Sequence, residues 1–287
     1  MIRVGSRDSR LAVVQAEEVC RALGECELIT MKTTGDKILD RTLDKVGGKG
    51  LFVKELDRAL ADGRVDLTVH SLKDVPMEQP DGLPLVAFTK REDARDALVL
   101  PESGVWDKAK PIGCASARRR VQLKALFPDI DVQPVRGNVQ TRLAKLDSGA
   151  YGALVLAAAG LHRLGLQDRI SRYFSVDEMI PAAGQGILAV QGRVGECEDA
   201  ARLVDNMDAR DCAAAERAFI RTLGGGCFAP VAAYAETQGD TLHLRGLYVT
   251  ADEKHMVRGA VTGRRVEAVS LGRTLALQLK HQAEGTV

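Results

Sequence analysis

The segment HSLKDVP, residues 70–76, sets a base and an acid side by side after an apolar run. The run VDLTVH (65–70) reads as a strand. Pro76 biases Val75 toward an extended backbone and bars immediate entry into a helix. Asp74 then falls in a tight loop at the carboxyl end of a strand, where open α/β sheets place their ligands. In an extended loop Lys73 and Asp74 point in roughly opposite directions, which leaves the Asp74 carboxylate to face a ligand. An aspartate here also serves as an ordinary turn or capping residue.

Arginines recur in a related setting. In CASARRRVQL (114–123) Ser116 is a good helix cap, and Arg118, Arg119 and Arg120 crowd the first turns. Cations are mildly unfavourable at a helix N-terminus, so three of them there anticipate an anion such as a carboxylate or phosphate. A solvated basic face is the competing reading. In RGNVQTR (136–142) Arg136 ends a strand, Gly137 permits a sharp turn, Asn138 caps the next helix and Arg142 lies one turn along. Arg163 and Arg7 also follow strands, in AAAGLHRLGL and VGSRDS. If the sheets are parallel, these strand ends cluster and the guanidiniums line one cleft. Buried cations without partners are very costly, so such a cleft calls for a polyanionic ligand. Aromatic residues make up only 4% and Lys+Arg exceed Asp+Glu by 40 to 39, which speaks against nucleic acid and for a small polycarboxylate.

LGGGCFAP (223–230) sets Cys227 on a glycine loop between a helix and a strand. Exposed placement suits covalent attachment, and a structural cysteine is the alternative. PAAGQGIL (181–188) fits neither dinucleotide nor P-loop spacing and reads equally as a hinge. None of the six cysteines forms a C-x-x-C pair and no His shares a metal spacing with them, so no metal site is expected.

The elements that must position these residues follow from periodicity. Strands are predicted at 2–5, 27–32, 65–70, 110–113, 131–135 and 153–157, and helices at 9–23 (capped by Ser9 or Asp8), 51–61, 117–126 and 138–147. The alternation predicts α/β units with largely parallel sheets. The last third changes, with a helix at 208–222, strands at 230–236, 241–249 and 256–262, and a helix at 265–282, which predicts a small α+β domain. Residues 36–50 read as a polar lid loop and 89–97 as a charged crossover between domains. No run approaches the roughly 20 apolar residues of a membrane span, and MIRVGSRDSR lacks the pattern of a signal peptide, so a cytoplasmic protein is expected.

VGSRDSRLAVVQA, TTGDKILD, VGGKGLFVKEL, VHSLKDVP, REDARDALV, RGNVQTRLAKL, LAAAGLHRLGL, PAAGQG and LGGGCFAP together resemble the blocks of the porphobilinogen deaminase family, in order and spacing, over essentially the whole chain. The resemblance implies two α/β lobes similar to periplasmic binding proteins plus a small C-terminal α+β domain. Their bounds would be 1–90 with 187–204, 91–186 and 205–287. It implies a dipyrromethane cofactor held through a thioether to Cys227, and Asp74 as the catalytic carboxylate. Lys73, Ser116, Arg118, Arg119 and Arg136 would hold the cofactor. Arg7, Ser9, Phe52, Arg142, Arg163 and Gln185 would bind substrate, with Lys45 and Lys49 on the lid. Four porphobilinogens would be joined head to tail with loss of ammonia, then released as hydroxymethylbilane. Each carries an acetate and a propionate, which accounts for the arginines. The implied partners are porphobilinogen and the growing polypyrrole chain, not nucleic acid or a membrane, and the implied state is a monomer.

The chain departs from the family where Cys114 and Ala117 replace a common Thr and Leu, Gly152 a common Asp, and Gln191 a common Glu. A solute-binding protein of two-lobed fold would also explain the arginines. It would not require Cys227 on a glycine loop, a third domain or Asp74 in its loop.

Overall fold

The computed structural model describes residues 1–37, 53–224 and 229–285. Strands β1 (Ile2–Arg7), β2 (Cys26–Met31), β3 (Leu67–Ser71) and β4 (Leu85–Phe88) come first, with helices α1 (Arg10–Leu23), α2 (Thr34–Lys37) and α3 (Lys54–Ala61). Then come β5 (Asp96–Val99), β6 (Ile112–Cys114), β7 (Val132–Pro134), β8 (Ala153–Ala157) and β9 (Ile170–Tyr173), with α4 (Ala117–Leu126), α5 (Val139–Asp147) and α6 (Ala158–Arg163). The rest is β10 (Leu188–Gly192), α7 (Glu198–Arg202), α8 (Met207–Thr222), β11 (Ala232–Gln238), β12 (Thr241–Val249), β13 (Met256–Arg264) and α9 (Ala268–Glu284). These fall into two compact units, Met1–Glu92 with Gly186–Arg210, and Asp93–Gln185 with Asp211–Val287.

The first unit is built on a five-stranded sheet of order β2-β1-β3-β10-β4. β1 pairs in parallel with β2 and β3, but β10 runs antiparallel to both β3 and β4. α1 forms because its apolar residues recur on one face, Ser9 caps its N-terminus by accepting from the Ala12 amide, and Gly24 ends it at φ +89°. Val19 of that face packs on Val4, Leu67, Val69 and Val190 of the sheet. A second cluster joins Ala59 and Leu60 of α3 to Val65 and Leu83.

The second unit holds a five-stranded sheet of order β7-β6-β8-β5-β9. β6 pairs in parallel with β7 and β8, and β5 runs antiparallel to β8 and β9. Successive residues of β8 feed opposite faces, Leu154 and Leu156 packing with Leu143 and Leu146, and Ala153 and Val155 with Leu123 and Phe174. The largely parallel sheets expected from periodicity are therefore mixed. In each sheet the reversed strand, β10 or β5, is the first strand after the chain crosses from the other unit. Each is a short apolar run, and such runs carry no sign of direction.

The final third is α+β as expected. β11, β12 and β13 form an antiparallel meander. Gly272 lets α9 lie against α8, since a Cβ there would sit 2.2 Å from the Ala215 carbonyl oxygen. The expected helix at 265–282 starts as a 3-10 turn at Arg265–Glu267 and becomes α-helical from Ala268. No described helix is long and apolar enough to cross a membrane.

Candidate active site and arginine cluster

In the first unit, β1 and β3 run in parallel and end at one edge of the sheet. β1 ends on Arg7. After β3 the chain makes a 3-10 turn, Leu72–Asp74, and Val75 is extended (φ −79°, ψ 129°) as Pro76 requires. The tight loop expected around Asp74 is thus a 3-10 turn, and the backbone at Lys73 and Asp74 is helical and not extended. The Leu72 amide donates to the Ile187 carbonyl (3.0 Å), which ties this turn to the chain entering β10. Arg7, Gln15, His70, Ser71 and Asp74 line one cavity with Val69 among its apolar walls. Gln15 and Ser71 bond each other at 2.9 and 3.1 Å, linking α1 to the end of β3. Ser9 lies nearby in sequence, with its hydroxyl accepting from the Ala12 amide at 3.4 Å.

Behind the cavity Thr68, His70 and Gln191 form a buried polar group, with His70 Nε2 2.9 Å from the Thr68 hydroxyl and 3.1 Å from Gln191 Oε1. Burial pulls the His70 imidazole down to about 4, a hydrogen bond with Gln191 opposing and the charge of Arg7 assisting. Burial pushes the Asp57 carboxyl up, against a hydrogen bond with Gln191.

In the second unit the carboxyl ends of β6, β7 and β8 share an edge with the amino end of β5, where Asp96 pairs with Ala157. Ser116 stands at the N-cap of α4 in extended conformation but makes no side-chain capping bond. Arg118 and Arg119 are 3% and 5% exposed, and the anion they face belongs to the chain itself, the fully buried Asp96. Arg118 Nη1 donates to Asp96 Oδ2 at 2.7 Å, while Arg119 Nε and Nη2 donate to Oδ1 at 3.0 and 2.7 Å. Burial pushes the Asp96 carboxyl up, but the two guanidiniums outweigh it and hold it well below the usual carboxylate range. Arg120 pairs with Glu253 at the turn before β13. So the three arginines that anticipated an external anion meet carboxylates of their own unit first.

Arg136 follows β7 and is half-buried. Gly137 takes φ +109°, a left-handed turn that glycine permits, and Asn138 then caps α5 by accepting from the Thr141 amide at 2.9 Å. Arg142 Nε donates to the Gly137 carbonyl at 2.8 Å. Arg163 closes α6 after β8. Gln185 is buried and donates to the Ala94 carbonyl and to Asp96 Oδ1, at 2.7 and 2.9 Å. The predicted residues are therefore divided between the units, Arg7, Ser9, Lys73 and Asp74 in one and Ser116, Arg118, Arg119, Arg136, Arg142, Arg163 and Gln185 in the other. Lys45, Lys49, Phe52 and Cys227 lie outside the described residues.

Gln15, His70, Ser71 and Asp96 were not picked out from the sequence. Gln15 shows as the polar residue on the apolar face of α1, and Asp96 as an acid opening the apolar run DALV.

Two mixed-sheet units, one with a carboxylate at the edge of its sheet and the other with buried arginines paired to Asp96, describe an α/β protein. Comparison with known proteins makes the class specific. The family model described as porphobilinogen deaminase, dipyromethane cofactor binding domain, matches residues 2–200, and the one described as porphobilinogen deaminase, C-terminal domain, matches 211–281. The porphobilinogen deaminase of Ruminiclostridium josui is 55% identical over 285 residues, 97% of each chain. That of Acetivibrio thermocellus is 53% identical over 292 residues, 99% of each chain. The chain belongs to the porphobilinogen deaminase family, a family of enzymes with a dipyrromethane cofactor. Among solved structures, the periplasmic aliphatic sulphonate binding protein of Escherichia coli is similar at a TM-score of 0.39 and 14% identity, over 77% of this chain and 70% of that one.

The second unit fits a carboxylate-bearing cofactor. Two buried guanidiniums face one carboxylate, leaving excess positive charge, and the buried Nε of Arg118 has no hydrogen-bond partner among the described residues.

Proposed function

We propose that this protein joins four porphobilinogen molecules head to tail, releasing ammonia at each addition, and hydrolyses the product to hydroxymethylbilane. The observation that carries the reading to the site is Asp74 lining one cavity with Arg7 at the ends of the parallel strands β1 and β3. The dipyrromethane, held as a thioether on Cys227, supplies the pyrrole carbon from which the product is extended. Asp74 stabilises the positive charge that porphobilinogen develops as ammonia leaves. A preorganised group of this kind lowers the barrier by about 3–4 kcal/mol. Arg7 and Ser9 are assigned to substrate carboxylates, and so, on the second unit, are Arg142, Arg163 and Gln185. Lys73, Ser116, Arg118, Arg119 and Arg136 are assigned to those of the cofactor, Phe52 to substrate, and Lys45 and Lys49 to the lid.

The three-domain division, 1–90 with 187–204, 91–186 and 205–287, is part of the same reading, and the presence of three separate sheets supports it. So are a cytoplasmic location and a monomeric state, the latter tested by light scattering of the purified protein.

The decisive experiment is the intact denatured mass of the purified protein, followed by peptide mapping. An addition of two linked pyrrole units on the peptide holding Cys227, with consumption of porphobilinogen, is expected. A protein that neither carries nor acquires this adduct on incubation with porphobilinogen would refute the reading.

A further inference from the structure

We propose that Asp96 is the positioning residue for cofactor binding. Its carboxylate holds the Arg118 guanidinium so that the Nε edge is presented to a carboxylate of the dipyrromethane, while Arg119 serves as an internal strut. This rests on the reading of Arg118 as a cofactor ligand.

The two arginines are adjacent in sequence and equally buried, but Asp96 uses them differently. Arg119 is bound at three nitrogens, Nε and Nη2 to Asp96 at 3.0 and 2.7 Å and Nη1 to the Val155 carbonyl at 3.1 Å. Its fork is spent on the fold. Among the described residues, the side-chain hydrogen bonds of Arg118 leave from Nη1, to Asp96 Oδ2 and to the Ile180 carbonyl, both at 2.7 Å. Its Nε, also buried, has no partner among the described residues. The Nε–Nη2 edge is the one that meets a carboxylate with two parallel hydrogen bonds.

Charge points the same way. One carboxylate among two guanidiniums leaves a net positive charge in a buried place, where such a charge is costly. Burial holds the Arg118 guanidinium below its usual range in spite of Asp96. A ligand carboxylate on this unpartnered edge would complete the balance. Asp96 is itself fixed, as the first residue of β5 and as the acceptor of a third donor, Gln185 Nε2 at 2.9 Å. Arg118 is therefore ordered before the ligand arrives, which reduces what binding must spend on ordering it.

The test compares full-length wild type, Asp96→Asn, Arg118→Gln and the double variant Asp96→Asn with Arg119→Gln. The readouts are the rate at which the two-pyrrole adduct appears in the intact mass on incubation with porphobilinogen, and the melting temperature. Asp96→Asn is expected to slow uptake about ten- to a hundredfold, the worth of a charge-assisted hydrogen bond. The double variant removes the charge that Asp96 neutralises on Arg119, so it is expected to regain stability but not uptake. Normal uptake in either Asp96 variant, with impaired uptake in Arg118→Gln, overturns the positioning role alone. Normal uptake in Arg118→Gln removes the reading beneath it. A measurement on the wild type stands even if the variants do not fold. Among the arginine Nε–H resonances, that of Arg118 is expected to move on cofactor loading and that of Arg119 to stay. A shift confined to Arg119 overturns the proposal.

Discussion

His70 sits at the end of β3, four residues before Asp74, with its imidazole buried against Thr68 and Gln191. Burial lowers its titration from 6.5 to about 4, the Gln191 hydrogen bond opposing and the charge of Arg7 adding to the shift. Between these values the unfolded chain binds a proton that the folded chain refuses. Stability that is fully present above pH 6.5 is therefore lost as pH falls toward 4. At 1.36 kcal/mol per unit, the loss between about pH 7 and about pH 4.5 comes to roughly 2.4 kcal/mol. Asp57 works in the opposite direction. Its carboxyl is raised by burial, so its contribution is lost as pH rises through its folded value. That slope is common to wild type and to His70→Gln, and it cancels in their difference. Glutamine keeps a polar group near Nε2 without titrating. Urea unfolding of both proteins at the two pH values is expected to show a wild-type loss larger by roughly 2 kcal/mol than that of His70→Gln. Parallel losses would refute the reasoning. So would a His70 ring resonance, assigned by its absence from the variant, with a midpoint near 6.5.

Asp74→Ala is expected to fold normally and to lower porphobilinogen turnover about a hundred- to a thousandfold, and near-normal turnover would sink the role assigned to this carboxylate. Gly152→Ala should destabilise the protein, because a Cβ there lies 2.1 Å from the Asp107 carbonyl oxygen and the backbone must shift. The penalty is roughly 1–3 kcal/mol, a drop of several degrees in Tm, and an unchanged Tm would refute it. Glu216 is fully buried and accepts from the Gly184 and Ala235 amides at 2.6 and 2.7 Å. Glu216→Gln turns a donor toward a donor and is expected to lose roughly 1–3 kcal/mol in urea unfolding, with an unchanged midpoint as the contrary result.

Short-range signals in the sequence determined much of the local structure. Ser9 and Asn138 cap the helices they precede, Gly137 takes the left-handed turn, Pro76 keeps Val75 extended, and Asp74 follows a strand end. Each depends on bonds among residues a few positions apart, which residue type and spacing specify directly. Tertiary structure decided the rest. The directions of β5 and β10 depend on which neighbours they pair with, and a four- or five-residue apolar run suits either direction. The three arginines of α4 signal an anion, but they do not say which one. Asp96, 22 residues before Arg118, reaches both buried guanidiniums only because β5 lies beside β8 in the folded sheet. The shifted titration of His70 likewise comes from desolvation by surrounding elements, a sum over distant residues that no local pattern carries.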